Sequence, residues 1–302
     1  MKNNRLFLDR GKKNIVNKPS FKELSIENAI VRLCGSFNAL SAMIIEEEGF
    51  EGLWLSSFEA HTGCRLPDAS ILTITDYCDL CNKISDRTNL PILVDGDEGG
   101  GSPINTIRMV REYEKNGASG ICIEDNKYPK RCSFYEGIKR ELEKPSYHAS
   151  KIKAACDNRM NSDFFVVART EALIVGMSVN EAIDRSNLYV DSGADAILIH
   201  DKKDKADGVF EFSEKFKNRV PLICVPTTYN QVREEELISN GFSYVIYANY
   251  GIRSCIKAMR KAFQEIAKNR TLSSANEYVS SMEEVFKLVG LEDLRFNENK
   301  YK

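Results

Sequence analysis

The sequence predicts an α/β protein built as a single (β/α)8 TIM-type barrel. Short runs rich in Ile, Leu and Val recur along the chain without strict alternation, as strands buried on both faces require. Amphipathic stretches of helical period separate them, and several stop at a glycine, the expected residue just past a helix end. The unit of helix, glycine, apolar strand and polar loop repeats about eight times over 302 residues, which favours a closed barrel over an open parallel sheet.

The predicted strands are, in order, Ile30–Cys34, Leu53–Leu55, Ile92–Asp95, Gly120–Glu124, Phe164–Ala168, Ala196–Ile199, Leu222–Val225 and Tyr244–Tyr247. Helices are expected over Ala39–Glu48 before Gly49, Asn105–Asn116 before Gly117, Val179–Ser192 before Gly193 and Glu234–Asn240 before Gly241. These units assign residues 21–270 to the catalytic barrel. Residues 125–146 form a connection too long for a tight βα turn, and its Lys130-Arg131-Cys132 cluster beside acidic residues marks it as a lid. Residues 271–302 form a C-terminal helical extension. Its helix over 280–288 carries an apolar face of Met282, Val285, Phe286 and Val289, which needs cover from the chain's own barrel or from a second subunit.

The net charge of −2 leaves no electrostatic footprint for nucleic acid. No apolar stretch is long enough to span a bilayer, so no membrane partner is expected. The N-terminus is polar and basic with no apolar signal core, and residues 1–20 read as a flexible arm. Nine cysteines, an odd number set mostly in apolar runs, suit the reducing cytoplasm. Cys78 and Cys81 form a C-x-x-C without a second Cys/His pair at zinc spacing, so packing explains them best.

In such a barrel the chemistry is expected where the strands end. Ser56 and Ser57 follow the second strand, with Asp68 further along that loop. Asp95 and Asp97 follow the third, Glu124 and Asp125 the fourth, Arg169 and Glu171 the fifth, His200 the sixth, Thr227 and Thr228 the seventh and Asn249 the eighth. Asp-Gly-Asp alone is most often a turn. Its spacing is not that of an EF-hand, because the twelfth position is Thr106 rather than a carboxylate. Gly99-Gly100-Gly101 lacks the Lys-Ser/Thr of a phosphate loop and reads as a flexible hinge. Taken together, carboxylates from neighbouring strands point to a hard divalent cation, Mg²⁺, which takes few direct carboxylates and keeps several waters. Arg169 offers a planar fork for a carboxylate or phosphoryl group, and His200 a hydrogen bond near neutral pH. Backbone N–H groups near Ser56 to Phe58 offer a second anion site. The set suits a small 2-oxo acid whose enolate oxygen a metal stabilises.

The chain resembles the phosphoenolpyruvate mutase/isocitrate lyase superfamily over nearly its whole length. The matching residues are Asn38-Ala-Leu-Ser-Ala, Gly52-Leu-Trp54-Leu-Ser56-Ser57, Pro67-Asp68, Asp95-Gly-Asp97, Glu124-Asp125, Pro129-Lys130, Ala168-Arg169-Thr-Glu171-Ala, Gly193-Ala-Asp-Ala-Ile-Leu-Ile-His200 and Val225-Pro-Thr. The last two elements are similar to the mutase and phosphonopyruvate hydrolase branch. The resemblance implies an enzyme that moves a phosphoryl group between phosphoenolpyruvate and C3 of phosphonopyruvate, past a metaphosphate-like species beside a metal-stabilised pyruvate enolate. It implies Mg²⁺ held directly by Asp95, with Asp68, Asp97 and Glu124 acting largely through water. Arg169 and His200 would hold the phosphoryl or carboxylate end, and Trp54, Ser56, Ser57 and Phe58 would wall the pocket. It also implies a C-terminal helix swapped between subunits of a homodimer or homotetramer.

The chain departs from the mutase pattern at Cys132, where mutases have a lid Asn, at Asn126, where they have Lys, and at Ser57-Phe58, where they have Gly-Leu. A lid Cys belongs to the lyases, in Lys-Lys/Arg-Cys-Gly-His, as a general acid; here Ser133-Phe134 replaces Gly-His. Lys130 and Arg131 beside Cys132 predict a thiol of lowered pKa. The alternatives to a mutase are therefore a phosphonopyruvate hydrolase, and a carbon–carbon lyase acting on a 2-substituted malate- or isocitrate-type acid through Cys132.

Overall fold

The computed structural model describes residues 18–302 apart from Asn218. The flexible arm expected over 1–20 lies, as far as residue 17, outside the described residues. Eight parallel strands close into a barrel in sequence order, with β1 pairing with both β2 and β8. They are β1 Val31–Ser36, β2 Gly52–Leu55, β3 Ile92–Asp95, β4 Gly120–Glu124, β5 Phe165–Thr170, β6 Ala196–Ile199, β7 Leu222–Cys224 and β8 Phe242–Tyr247. Each of the eight predicted strands is present, three of them with the predicted bounds.

Helices α1 Phe21–Glu27, α2 Ala39–Glu47, α3 Ser57–Gly63, α4 Ile74–Ser85, α5 Pro103–Lys115, α6 Pro145–Asn158, α7 Val179–Asp191, α8 Asp207–Phe216 and α9 Glu234–Ser239 accompany them. Side-chain caps start most of these. Ser20, Asn38 and Thr73 form capping boxes, and Ser102 caps α5 ahead of a proline in its first turn. The expected glycine stops Gly49, Gly117, Gly193 and Gly241 all adopt positive φ, which a residue with a Cβ reaches only at a cost.

Strand residues alternate between two cores. Leu53, Leu55, Ile92, Val94, Ile121, Ile123, Val166, Ala168, Ile197 and Ile199 pack outward against the helices. Leu33, Trp54, Leu93, Cys122, Val167, Leu198, Ile223 and Ile246 fill the interior. Because side chains alternate with period two, the residues two places beyond the interior Leu93, Cys122, Val167 and Leu198 also face inward. These are Asp95, Glu124, Arg169 and His200. Helix α1 was not foreseen, since no repeat announces it. Its Phe21 joins the interior core, its ring 5.5 Å from that of Phe165, and Phe21 O accepts from Tyr244 Oη at 2.7 Å.

The chain divides into two compact units, one over residues 19–250 and one containing residues 251–302. The second unit holds most of α10 (Tyr250–Asn269), a 3-10 segment (Leu272–Tyr278), α11 (Met282–Leu288) and α12 (Leu291–Lys300). Met282, Phe286 and Val289 are exposed. The nine cysteines are free thiols, and Cys78 and Cys81 pack from α4 into the outer core. Among the described residues no helix is long and apolar enough to cross a membrane.

Candidate active site

A cavity of ≈ 50 Å³ opens at the C-terminal ends of the strands. Trp54, Ser56, Ser57, Phe58, Asp68, Asp95, Glu124, Arg169 and His200 line it, together with Lys130–Phe134 of the lid and Thr227 and Asn249 beyond β7 and β8. Seven of the eight strands contribute, as the sequence predicts. Asp97 stands one layer back, reaching the group through Lys130.

The Asp95-Gly-Asp97 turn has a steric origin. A Cβ on Gly96 would lie 2.7 Å from the Ile121 side chain, so only glycine lets the chain cross β4 this closely. Gly96 N donates to Cys122 O at 2.8 Å, and Asp97 takes φ +48°. The next three glycines also have positive φ. Thr106 Oγ1 donates to Gly99 O at 2.7 Å and Asn105 Nδ2 to Gly100 O at 2.8 Å, so α5 holds two carbonyls of the run read as a hinge.

Four carboxylates, Asp68, Asp95, Asp97 and Glu124, are buried here. Lys130 Nζ lies 2.6 Å from Asp97 Oδ1 and 3.1 Å from Asp68 Oδ1. It donates to Ser57 Oγ at 2.7 Å, and Ser57 Oγ donates to Asp95 Oδ2 at 2.8 Å. Burial works to lower the Lys130 pKa, but Asp97, Asp68, Asp95 and Glu124 outweigh it and hold the ammonium well above its ordinary value. The acids remain under-neutralised all the same. Burial pushes Glu124 up to about 7, against the pull of Arg169 and Lys130, and it raises Asp97 as well. Asp68 Oδ1 and Asp97 Oδ1 are buried without a hydrogen bond; Lys130 meets both as an ion pair only. Among the described residues no three such ligands form a ready metal cage. A hard oxygen-only donor set with excess negative charge and no closed cage fits Mg²⁺, which keeps most of its waters.

The other wall is cationic. Arg169 Nε donates to Glu171 Oε1 at 2.7 Å and lies 3.4 Å from Glu124 Oε2. His200 Nδ1 sits 2.9 Å from both Glu171 Oε1 and Arg169 Nη2. A carboxylate only accepts and a guanidinium only donates, so Nδ1 serves one of these contacts at a time, donating to Glu171 when it carries the proton and accepting from Arg169 when it does not. Burial lowers the His200 pKa despite Glu171, which keeps the ring neutral. The anion site expected at the backbone near Ser57 is partly occupied, because Ser57 N points to Asp95 Oδ2 at 3.4 Å.

The lid starts from an antiparallel bridge, Asn126 to Leu142. Cys132 N donates to Asp68 O at 3.3 Å, Asp68 N to Tyr135 Oη at 2.9 Å and Ser133 Oγ to Glu171 Oε2 at 2.8 Å. The Phe134 ring stands edge-on to His200, 6.5 Å between centroids. One expectation is overturned: the Cys132 pKa is raised, not lowered. Burial is the main cause and outweighs the Lys130 and Arg140 charges, which still pull the thiol down. Lys130 points into the acids, while Arg131 Nη1 donates to the carbonyls of Pro129 and Lys130.

Sequence reasoning missed His61 and underrated Asp125. His61 Nε2 accepts from Ile71 N and Leu72 N at 3.2 and 3.1 Å, so its proton sits on Nδ1 and faces Ser57 O at 2.8 Å. The four-residue spacing from Ser57 on one helix was its signal. Asp125 accepts from Glu171 N, Thr170 Oγ1, Tyr189 Oη and Arg185 Nη1 at 2.8, 3.0, 2.8 and 3.2 Å, tying β4 to β5 and α7 behind the site.

This arrangement has known counterparts. A family model described as phosphoenolpyruvate phosphomutase matches residues 21–267. The chain belongs to the phosphoenolpyruvate phosphomutase family. It is 37% identical over 264 residues to a phosphoenolpyruvate phosphomutase of Tetrahymena pyriformis, covering 87% of this chain and 88% of that one. The crystal structure of a phosphoenolpyruvate phosphomutase from Streptomyces platensis subsp. rosaceus superposes with TM-score 0.90 at 35% identity, over 93% of this chain and 97% of that one. A phosphonopyruvate hydrolase in complex with oxalate and Mg²⁺ superposes with TM-score 0.86 at 33% identity, over 92% and 96%. The chain is therefore a member of an enzyme family that includes mutases and a hydrolase on one barrel.

Proposed function

We propose that this chain is a Mg²⁺-dependent phosphoenolpyruvate mutase interconverting phosphoenolpyruvate and phosphonopyruvate. The observation that carries the reading is the convergence of Asp95, Glu124, Arg169 and His200 on one small cavity, acids beside a guanidinium and a neutral imidazole. In the reaction the P–O bond to the enol oxygen breaks and a P–C bond forms at C3, with no proton, electron or co-reactant taken from outside. When bound, Mg²⁺ would supply Lewis-acid charge to the 2-oxo acid, and Asp95, with Asp68, Asp97 and Glu124 around it, would hold it. Arg169 and His200 hold the anionic end of the substrate, with Glu171 orienting both. Trp54, Ser56, Ser57 and Phe58 wall the pocket. Lys130 brings a second cation from the lid, and Cys132 and Phe134 keep water from the migrating phosphoryl group.

A hydrolase of phosphonopyruvate is the second reading, favoured by one observation: the lid stretch lining the cavity, Lys130 to Phe134, offers no side-chain amide. Incubation with Mg²⁺ and phosphonopyruvate, followed by ³¹P NMR, separates the two. A phosphoenolpyruvate signal supports the mutase, inorganic phosphate supports the hydrolase, and no change sinks both in favour of a lyase using Cys132 as proton donor. The exposed Met282, Phe286 and Val289 support a homodimer or homotetramer formed by exchange of the C-terminal helix. Light scattering that returned the 34.2 kDa monomer mass would refute it.

A further inference from the structure

Glu98 is a buried carboxylate immediately after the Asp-Gly-Asp turn, yet it does not line the substrate cavity. Its Oε2 accepts from Ser70 Oγ at 3.0 Å, and Ser70 Oγ accepts from the backbone N–H of Lys130 at 3.1 Å. The direction of this chain is fixed. A carboxylate oxygen accepts and a backbone amide donates, so the one hydroxyl proton must point to Glu98. On the other side, Lys151 Nζ, from α6, donates to Glu98 O at 2.9 Å, which pins the main chain of the acidic turn from behind.

The middle of the link and the residue just before Glu98 are backbone-strained. Ser70 has φ +54° and Asp97 has φ +48°, conformations that residues with a Cβ hold only when the surroundings impose them. Ser70 belongs to the loop carrying Asp68, Asp97 to the acidic turn, and Lys130 to the lid. Glu98 therefore joins the three segments whose side chains meet at the Lys130 ammonium. That ammonium has three close partners, Ser57 Oγ, Asp97 Oδ1 and Asp68 Oδ1, so an error of an ångström in the Lys130 backbone would break the set.

We propose that Glu98 is a positioning residue, which through Ser70 sets where the lid delivers Lys130. The mechanistic part rests on the proposed role of Lys130 at the acid cluster; the positioning itself does not depend on which reaction the enzyme runs. Hydrogen exchange of the segment 127–134, containing the Lys130 amide, is the direct readout. In E98A and in S70A this amide should exchange about tenfold faster, the worth of one hydrogen bond, whereas E98Q, whose amide oxygen still accepts from Ser70, should match wild type. With substrate, E98A and S70A should lose about tenfold in kcat with KM within about threefold, E98Q should restore the rate, and the double variant should be no worse than S70A. Exchange in both alanine variants equal to wild type overturns the proposal, and so does E98Q behaving like E98A, which would make the charge the cause. Should E98A not fold, S70A and E98Q carry the test alone. A mutase that proves to be a hydrolase would leave the exchange result untouched, so the two failures are separable.

Discussion

The two halves of the active cavity are built differently. The barrel half, Asp95, Glu124, Arg169 and His200, stands at the inward-facing positions of β3 to β6, where strand register decides direction. The lid half, Lys130 to Phe134, is held by single hydrogen bonds to neighbouring loops: Cys132 N to Asp68 O, Ser133 Oγ to Glu171 and Lys130 N to Ser70. The first half supplies charges suited to handling a 2-oxo acid. On the proposed reading, the second closes over the substrate and meets the migrating group. Strand register therefore fixes the barrel half, whereas the lid half depends on contacts between loops.

The most damaging test of this contrast strikes the barrel half. Asp95→Ala should lower turnover by ~10³-fold and abolish Mn²⁺ binding measured by paramagnetic resonance; retained Mn²⁺ affinity would move the metal elsewhere. Next is the scaffold behind it. Asp125→Ala leaves Tyr189 Oη without its acceptor and Arg185 with only Glu181 and the Glu143 carbonyl, and should cost about 3–5 kcal/mol in urea unfolding. A loss under about 1 kcal/mol would mean that the four bonds to Asp125 are not a structural hub.

Smaller effects are expected in the lid. On the proposed reading, in which the thiol only excludes water, Cys132→Ser should change turnover by less than about threefold, whereas a general-acid role would cost about 10²-fold. The smallest effect is chemical. Burial raises the Cys132 pKa, so thiolate is scarcer there at pH 8 than on an ordinary cysteine. Iodoacetamide labelling followed by mass spectrometry should therefore reach the exposed Cys64 and Cys255 well before Cys132. Preferential labelling of Cys132 would restore the reactive-thiol expectation.

The contrast also explains how far the sequence could be read. Strands Ile92–Asp95, Gly120–Glu124 and Ala196–Ile199 were legible because hydrophobic runs and glycine stops are local signals. The inward direction of Asp95 and Glu124 follows from period two. The pKa of Cys132 is not legible in the sequence, because burial, which only the fold reveals, outweighs the nearby cations. In the folded lid Lys130 points to Asp97 and Asp68, and Arg131 folds back on its own backbone. Ser70 and Glu98 escape a sequence reading for a related reason, since their partners lie 60 and 28 residues away and no local pattern announces such pairings. Helix α1 was missed because a seven-residue helix carries too little periodicity to stand out.

The alternation of inner and outer cores acts as a reading frame. Deleting one residue from Gly120–Glu124 would turn Glu124 toward the helices and send Ile123 into the cavity, and no side-chain substitution could undo it. Residues 128–140 carry no such frame, so length changes there leave every strand residue facing as before. Insertions and deletions tolerated over a lineage should accordingly cluster in the lid and be purged from the strands, and a library that randomises lid length is the practical route to new reactions on this barrel.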